Sequence, residues 1–386
     1  MTKGVTKKQI AIMSAAAGIS VANIYYCQPI LIDVALGLDL AEGQVGNLPV
    51  LTQMGYGLGL FFLTPLGDKI DRKKLILVLQ SLLILVLAGM SLVVNIKGLY
   101  VFSLLTGILS VATQVIMPMA ASMATNNKGK VVGVVFTGIL IGILAARTFS
   151  GFIAEWFGWR YVYGISACMM LISSLFVWAC LPNVQPHYKG NYISLLQSTI
   201  RQFFNFKLLR RSVLIGVLIF GAFSSFWTIL TLHLSGEPFY FQSDIIGAFG
   251  ILAVGGAMTS SFFGKLADKS RPAVTQTYTI SLVIISVLLV LIVPYSVTAF
   301  IITTLLLDIG VQATQVTNVA QIYTLDESAH SRINTVYMTL FFIGGAIGTW
   351  VGIRCWSLGG WTLVCVQMLL WSTLALLVAQ KNIRLT

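Results

Sequence analysis

Along the whole chain, long apolar runs alternate with short polar links. A helix needs about 20 mainly apolar residues to cross the hydrocarbon core of a bilayer. Runs of that kind fall at 9–36, 44–66, 75–95, 98–124, 131–155, 160–181, 212–234, 244–265, 273–293, 296–323, 333–356 and 360–380. The pattern predicts an all-α membrane protein of twelve transmembrane helices with both termini on one side. The segment from Lys3 to Ser20 resembles a signal peptide in outline, but its run continues through Asn23-Ile24-Tyr25-Tyr26 without a cleavage site and reads as the first span. The longest link, 182–211, starts with Pro182 and Pro186, which end the sixth run. Within it Ile193, Leu196, Ile200, Phe203 and Phe204 recur at helical spacing against Gln197, Ser198, Arg201 and Lys207, the pattern of a helix lying in the membrane interface.

The runs before and after that link repeat one another. Ala112-Thr113-Gln114-Val115 in the fourth run returns as Ala313-Thr314-Gln315-Val316 in the tenth, 201 residues later. Asp68-Lys69 is matched by Asp268-Lys269 at an offset of 200, and Trp159 by Trp361 at 202. Three matches at nearly one offset, each at the same place in its set of six, predict a six-helix unit used twice. The expected organisation is an N-terminal half over 1–181, a cytoplasmic linker with the interfacial helix over 182–211, and a C-terminal half over 212–386.

Composition agrees with the pattern. Of 386 residues 57% are hydrophobic and 9% charged, and the mean hydropathy is +0.90, whereas a soluble domain is about a quarter charged. The formal net charge of +12 raises the possibility of a polyanionic partner, so the placement of the basic residues matters. With the N-terminus cytoplasmic, twenty of the twenty-four Lys and Arg fall on the cytoplasmic side, and Lys97, Arg160 and Arg354 fall opposite. That asymmetry is the positive-inside rule. It accounts for the charge without nucleic acid and makes the lipid bilayer the expected partner. Cys27, Cys168, Cys180, Cys355 and Cys365 are odd in number and show no CxxC spacing, which predicts neither a disulfide framework nor a metal site.

The link after the second run reads Pro65-Leu66-Gly67-Asp68-Lys69-Ile70-Asp71-Arg72-Lys73-Lys74. It resembles the signature between the second and third helices of the major facilitator superfamily, departing from it at Thr64 and Asp71, where the family carries Gly. A degenerate copy, Gly264-Lys265-Leu266-Ala267-Asp268-Lys269, follows the eighth run, where the family carries one too. The resemblance implies a fold of two pseudo-symmetric six-helix halves, and a conformational switch at their cytoplasmic ends in which Asp68, Lys69, Arg72, Lys73 and Asp268 take part. The other reading of these loops is that their positive charge only fixes topology. In the fifth run, the small-residue spacing of Gly138, Gly142 and Gly151 resembles the glycine-rich motif of drug:proton antiporters, but the motif's Gly-Pro element is absent, with Ala146-Arg147 nearby. Small residues at that spacing also serve close helix packing.

An ionisable side chain deep in a span is costly in lipid and is a candidate for function. Asp308 lies about twelve residues into the tenth span and Arg147 about ten from the outer end of the fifth, roughly 18 and 15 Å deep at 1.5 Å per residue. Desolvation disfavours a carboxylate and a neighbouring Arg favours it, so this pair is expected either to couple transport to protons or to form a permanent structural pair. Asp33 is a candidate second proton site. Asp308, Gln312 and Gln315 share one helical face, with Thr314, Asn318 and Gln321 beside them. In the resembled family the first and fourth helices of each half line the cavity, so the expected substrate wall comprises Asn23, Tyr26, Gln28, Gln114, Met117, Phe223, Phe226, Trp227, Gln312 and Gln315. A wall of aromatic, Met and neutral polar side chains suits a small amphipathic organic compound.

Among enzyme motifs, HExxH, GxSxG and a phosphate-binding Gly loop are missing from the chain, and no nucleophile and base stand together. The expectation is therefore a non-enzymatic secondary transporter without catalytic residues, metal or cofactor. It exports small organic compounds against protons by alternating access, as a monomer in a bacterial cytoplasmic membrane. The alternatives are uptake or facilitated diffusion of a metabolite, and more remotely a non-transporting receptor.

Overall fold

The computed structural model describes residues 5–124, 127–184, 190–252, 272–326 and 329–381, and all regular structure among them is helical. The helices are α1 (Lys7–Ala22), α2 (Leu31–Leu38), α3 (Glu42–Val45), α4 (Asn47–Phe62), α5 (Arg72–Leu92), α6 (Ile96–Leu109), α7 (Ala112–Met123), α8 (Lys128–Phe157), α9 (Trp159–Cys180), α10 (Tyr192–Asn205), α11 (Lys207–Ser235), α12 (Ser243–Leu252), α13 (Pro272–Ile292), α14 (Val297–Ile322) and α15 (His330–Gln380). Eight stretches among the described residues are long and apolar enough to cross a membrane: α5, α6 with α7, α8, α9, α11, α13, α14 and α15. Large apolar side chains such as Leu85, Ile141, Phe176 and Leu370 stay exposed on their outer faces, as side chains facing lipid do. This is a multi-pass membrane protein.

Several predicted spans differ from straight rods. The first leaves the helix after Ala22 and passes through buried turns from Asn23 to Ile30 before α2 begins. Pro29 keeps the helix from resuming before it, because it donates no hydrogen bond and disfavours a helical Gln28. The second is shortened to the 16 residues of α4, and a short 3₁₀ turn, Thr64–Asp68, follows it. The 51 residues of α15 would reach about 77 Å if straight. They do not, because Gly359 and Gly360 take non-helical angles between the two predicted spans. Gly360 stands at φ 59° before Trp361, and Gly158 at φ 97° before Trp159. Left-handed backbone of that kind favours glycine, so the Trp match in the sequence extends to a shared Gly-Trp turn.

Small residues let two helix pairs approach backbone to backbone. A Cβ on Gly18 of α1 would lie 2.4 Å from the carbonyl oxygen of Gly138, and one on Gly142 of α8 would lie 2.3 Å from that of Gly18. The same crossing recurs between α11 and α15, where a Cβ on Gly348 would lie 2.2 Å from the carbonyl oxygen of Gly221. In the link, α10 presents Ile193, Ile200 and Phe204 outward and buries Leu195, Thr199 and Gln202. Helix α11 begins at Lys207, ahead of the predicted 212, and its Arg211 donates to the carbonyls of Val378 and Ala379 at 3.0 and 2.7 Å, so that it caps the end of α15.

Candidate transport cavity

A buried cavity of about 120 Å³ lies between α4, α7, α8, α11, α14, α15 and the turns after α1. Asp308 of α14 and Arg147 of α8 both line it, and each is only 2% exposed. No nitrogen–oxygen contact of 4.0 Å or less joins them. The neighbours of Arg147 are instead neutral. Its Nε donates to Gln28 Oε1 at 2.9 Å, and its guanidinium carbon stands 3.9 Å from the Trp227 ring centre and 4.9 Å from that of Tyr25. Arg147 Nη2 and Asp308 Oδ2 are both buried without a hydrogen-bond partner. Two opposite charges thus share one cavity, and neither is neutralised by direct contact with the other.

The predicted substrate residues divide into two groups. Gln114, Met117, Phe223, Gln312 and Gln315 line the cavity. Asn23, Tyr26, Gln28, Phe226 and Trp227 do not. Asn23 fastens α1 to α9 by accepting from Ser166 at 2.8 Å. Tyr26 turns to Phe149 on the other side of α8, ring centres 5.7 Å apart. Phe226 packs near Trp361, while Gln28 and Trp227 hold Arg147. The physical reason lies in the turns after Ala22. Helical phase carried through Asn23 points to Tyr26, but the chain has left the helix, and Tyr25 faces the cavity. Asp33 also lies off the cavity, where it accepts a hydrogen bond from Ser243 at the start of α12.

Other wall residues escaped the sequence reading: Tyr56 from α4, Phe220 from α11, and Met338, Phe341 and Phe342 from α15. Tyr56 had a usable signal. With Gln53 it places two polar groups three residues apart in an apolar run, and its hydroxyl accepts from Gln114 at 3.1 Å. The second polar stripe of the tenth span has a packing task. Thr314 meets Thr279 at 2.8 Å, and Asn318 accepts from Gln276 at 2.7 Å while donating to Tyr337 at 3.2 Å.

At the end of the bundle where α1 begins and α15 ends, Arg72 ties the signature loop together. It pairs with Asp68 at 3.0 Å and donates to the carbonyls of Gly67 and Pro118 and to the Ser122 hydroxyl at 3.0, 3.1 and 3.2 Å. Asp71 caps α5 by accepting from the Lys74 amide at 2.9 Å, which gives the acid a structural task where the signature has Gly. Lys69 is exposed and Lys73 half-buried. Asp68 and Arg72 border a small cleft shared with α10 and with Ser331 and Arg332 of α15. Asp268 lies outside the described residues. At the opposite end, Thr231 donates to the Gln28 carbonyl and Trp356 to Glu42, each at 2.9 Å, joining early helices to late ones.

Residues 10–349 match the family described as the Major Facilitator Superfamily. The chain is 38% identical to the putative uncharacterized transporter YgaY of Escherichia coli K12, over 92% of this chain and 91% of that one. It is 27% identical to the multi-drug resistance efflux pump PmrA homolog of Lactococcus lactis, over 60% of this chain and 58% of that one. The fold is similar to that of a bacterial homolog to the human lysosomal transporter Spinster, solved in an inward-facing and occupied conformation, with a TM-score of 0.75 at 11% identity over 97% of this chain and 96% of that one. With the family matched across most of its length, and transporters among its relatives, this chain belongs to the major facilitator superfamily and is a membrane transporter, not an enzyme.

Proposed function

We propose that the chain is a proton-coupled secondary transporter of small amphipathic organic compounds, working by alternating access. Two six-helix halves, 1–181 and 212–386, rock about the cavity, with 182–211 as the cytoplasmic linker. The repeated Gly-Gly crossing and the repeated Gly-Trp turn support two equivalent halves of twelve spans in all. The end where α1 begins and α15 ends is the cytoplasmic face of a bacterial inner membrane, as the distribution of Lys and Arg favours. Asp68, Lys69, Arg72, Lys73 and Asp268 belong to the switch at that face, and the protein acts as a monomer.

The observation that carries the coupling is the pair Asp308 and Arg147, buried in one cavity without direct contact. A carboxyl so placed can take up and release a proton as access alternates, with no salt bridge to break first. The name of the Lactococcus relative favours efflux. The fixed cation in the cavity, Arg147, favours a second reading, uptake. The test is proton flux in proteoliposomes with a panel of lipophilic cations, neutral amphiphiles and organic acids, wild type beside Asp308→Asn. Substrate-dependent proton movement that the variant lacks is expected. Substrate movement without protons, unchanged in the variant, returns Asp308 to a structural role.

A further inference from the structure

We infer that the cavity holds an amphipathic organic carboxylate on the guanidinium of Arg147, and that this requires the proton to be on Asp308. The inference deepens the coupled-transport reading and rests on it for direction, though not for binding.

Among the described residues, the charged or titratable side chains of the cavity wall are Arg147 from α8, Asp308 from α14, Tyr25 from the turns after α1 and Tyr56 from α4. The lining residues of α7, α11 and α15 are Gln, Met and Phe, and α13, packed behind α14, has no Asp, Glu, Lys, Arg or His. Arg does not lose its proton in proteins, and a phenol is neutral near pH 7. The cavity therefore carries a net charge of zero with Asp308 ionised and plus one with Asp308 protonated. From the described residues it never carries a net negative charge. A lipophilic cation would meet Arg147 in either state.

Trp227 and Tyr25 approach the guanidinium and Gln28 takes Nε, so the uncommitted donors are at the Nη end, where Nη2 is buried and unpartnered. Two neighbouring N–H groups there match the two oxygens of a carboxylate. Phe220, Phe223, Phe341 and Phe342 supply the apolar wall for the rest of such a molecule, and the amide groups of Gln312 and Gln315 add neutral polar contacts. Ionised Asp308 competes with the substrate as a local anion. Protonated, it becomes a neutral donor and leaves Arg147 without a counter-charge.

Proton and carboxylate thus favour one another, and linkage makes the effect reciprocal: each raises the affinity for the other. Groups that bind together are carried together. With an inward proton gradient that is symport and uptake, the opposite sign from a cation that competes with the proton for an acid.

The test uses the purified wild-type protein and one arylalkyl skeleton in three charge states: 4-phenylbutyrate, its amide, and the corresponding trimethylammonium. Binding is read by tryptophan fluorescence, with Trp227 against the site as reporter. At pH 5.5 the carboxylate is expected to bind at least about tenfold more tightly than the amide, and the ammonium more weakly than both. Raising the pH to 8 should weaken carboxylate binding about tenfold in wild type and leave it unchanged in Asp308→Asn. Arg147→Gln should bind carboxylate and amide alike, with Arg147→Lys in between. Because Arg147→Gln removes a buried group and can fail to fold, the three probes on wild type and the flat pH profile of Asp308→Asn stand without it. Tighter binding of the ammonium, equal binding of carboxylate and amide to wild type, or a preserved carboxylate preference in folded Arg147→Gln each overturns the assignment. Carboxylate binding as expected but without proton movement in proteoliposomes defeats the coupling reading and leaves the anion site standing. Proton movement with the ammonium alone does the reverse.

Discussion

The guanidinium carbon of Arg147 and the ring centre of Trp227 are 3.9 Å apart, so an aromatic face stands where a buried arginine ordinarily finds a carboxylate. The indole Nε1 is buried and has no hydrogen-bond partner. The ring, not the N–H, is therefore what stabilises the cation. Such a contact is worth about 2 kcal/mol when desolvated.

The first prediction follows from that difference. Trp227→Phe, which keeps a π face and loses no hydrogen bond, should lower the thermal unfolding temperature in detergent only slightly. Trp227→Leu should cost about 2 kcal/mol more and weaken ligand binding to the cavity. Equal melting temperatures for the two variants would show that Trp227 merely fills space.

The glycine crossings give a second prediction with an internal control. Gly142→Ala and Gly348→Ala each force a Cβ to within 2.3 Å or less of a backbone oxygen on the facing helix. Backbone yields poorly, so each should destabilise by about 1–3 kcal/mol. Gly133→Ala, on the same helix as Gly142 but with nothing within 4 Å of its Cβ, should stabilise by about 0.5–1 kcal/mol through helix propensity. Thermal unfolding of the three variants checks the pattern, and a loss at Gly133 equal to that at Gly142 would refute it.

These contrasts mark how far the sequence could be read. Run length, charge asymmetry and the signature loop were enough for the helical membrane class and the family, because a bilayer restricts spanning chains so severely. The deep charges Asp308 and Arg147 stood out for the same reason, and they come together in one cavity. What could not be read was whatever depends on helical phase across a break. Pro29 announces the end of a helix but not the direction in which Tyr25, Tyr26 and Gln28 then point. Nor could polarity alone separate wall from packing. Gln315 lines the cavity, whereas Asn318, one helical turn on, joins α14 to α13 and α15.

Arg72 offers a third prediction. Its four polar contacts need a forked donor, and a lysine can satisfy only part of them. Arg72→Lys should therefore lose most transport while keeping expression and fold. Asp68→Asn, which weakens one partly exposed ion pair, should cost less than about 1 kcal/mol in stability. Proteoliposome uptake and thermal unfolding distinguish the two effects. Full transport by Arg72→Lys would mean that positive charge alone suffices at this loop.

The fourth prediction concerns the end of the bundle opposite the start of α1, the proposed outer face. There Gln28 is held by Thr231 and Asp33 by Ser243, bonds that join early helices to late ones and must open if the cavity is to meet the outside. Cys27, 3% exposed, lies beside the first of them. Asp33→Ala combined with Thr231→Val removes both bonds, together roughly 2 kcal/mol, which favours an outward-open state by about thirtyfold. In a background with the other four cysteines replaced, labelling of Cys27 by a membrane-impermeant maleimide should speed up accordingly. The double variant should also take up substrate more slowly, since it lingers open to one side. An unchanged labelling rate in a folded double variant would mean that these bonds are not part of the outer gate, and that closure there depends on the apolar contacts around them, such as Gly46 against Ile353.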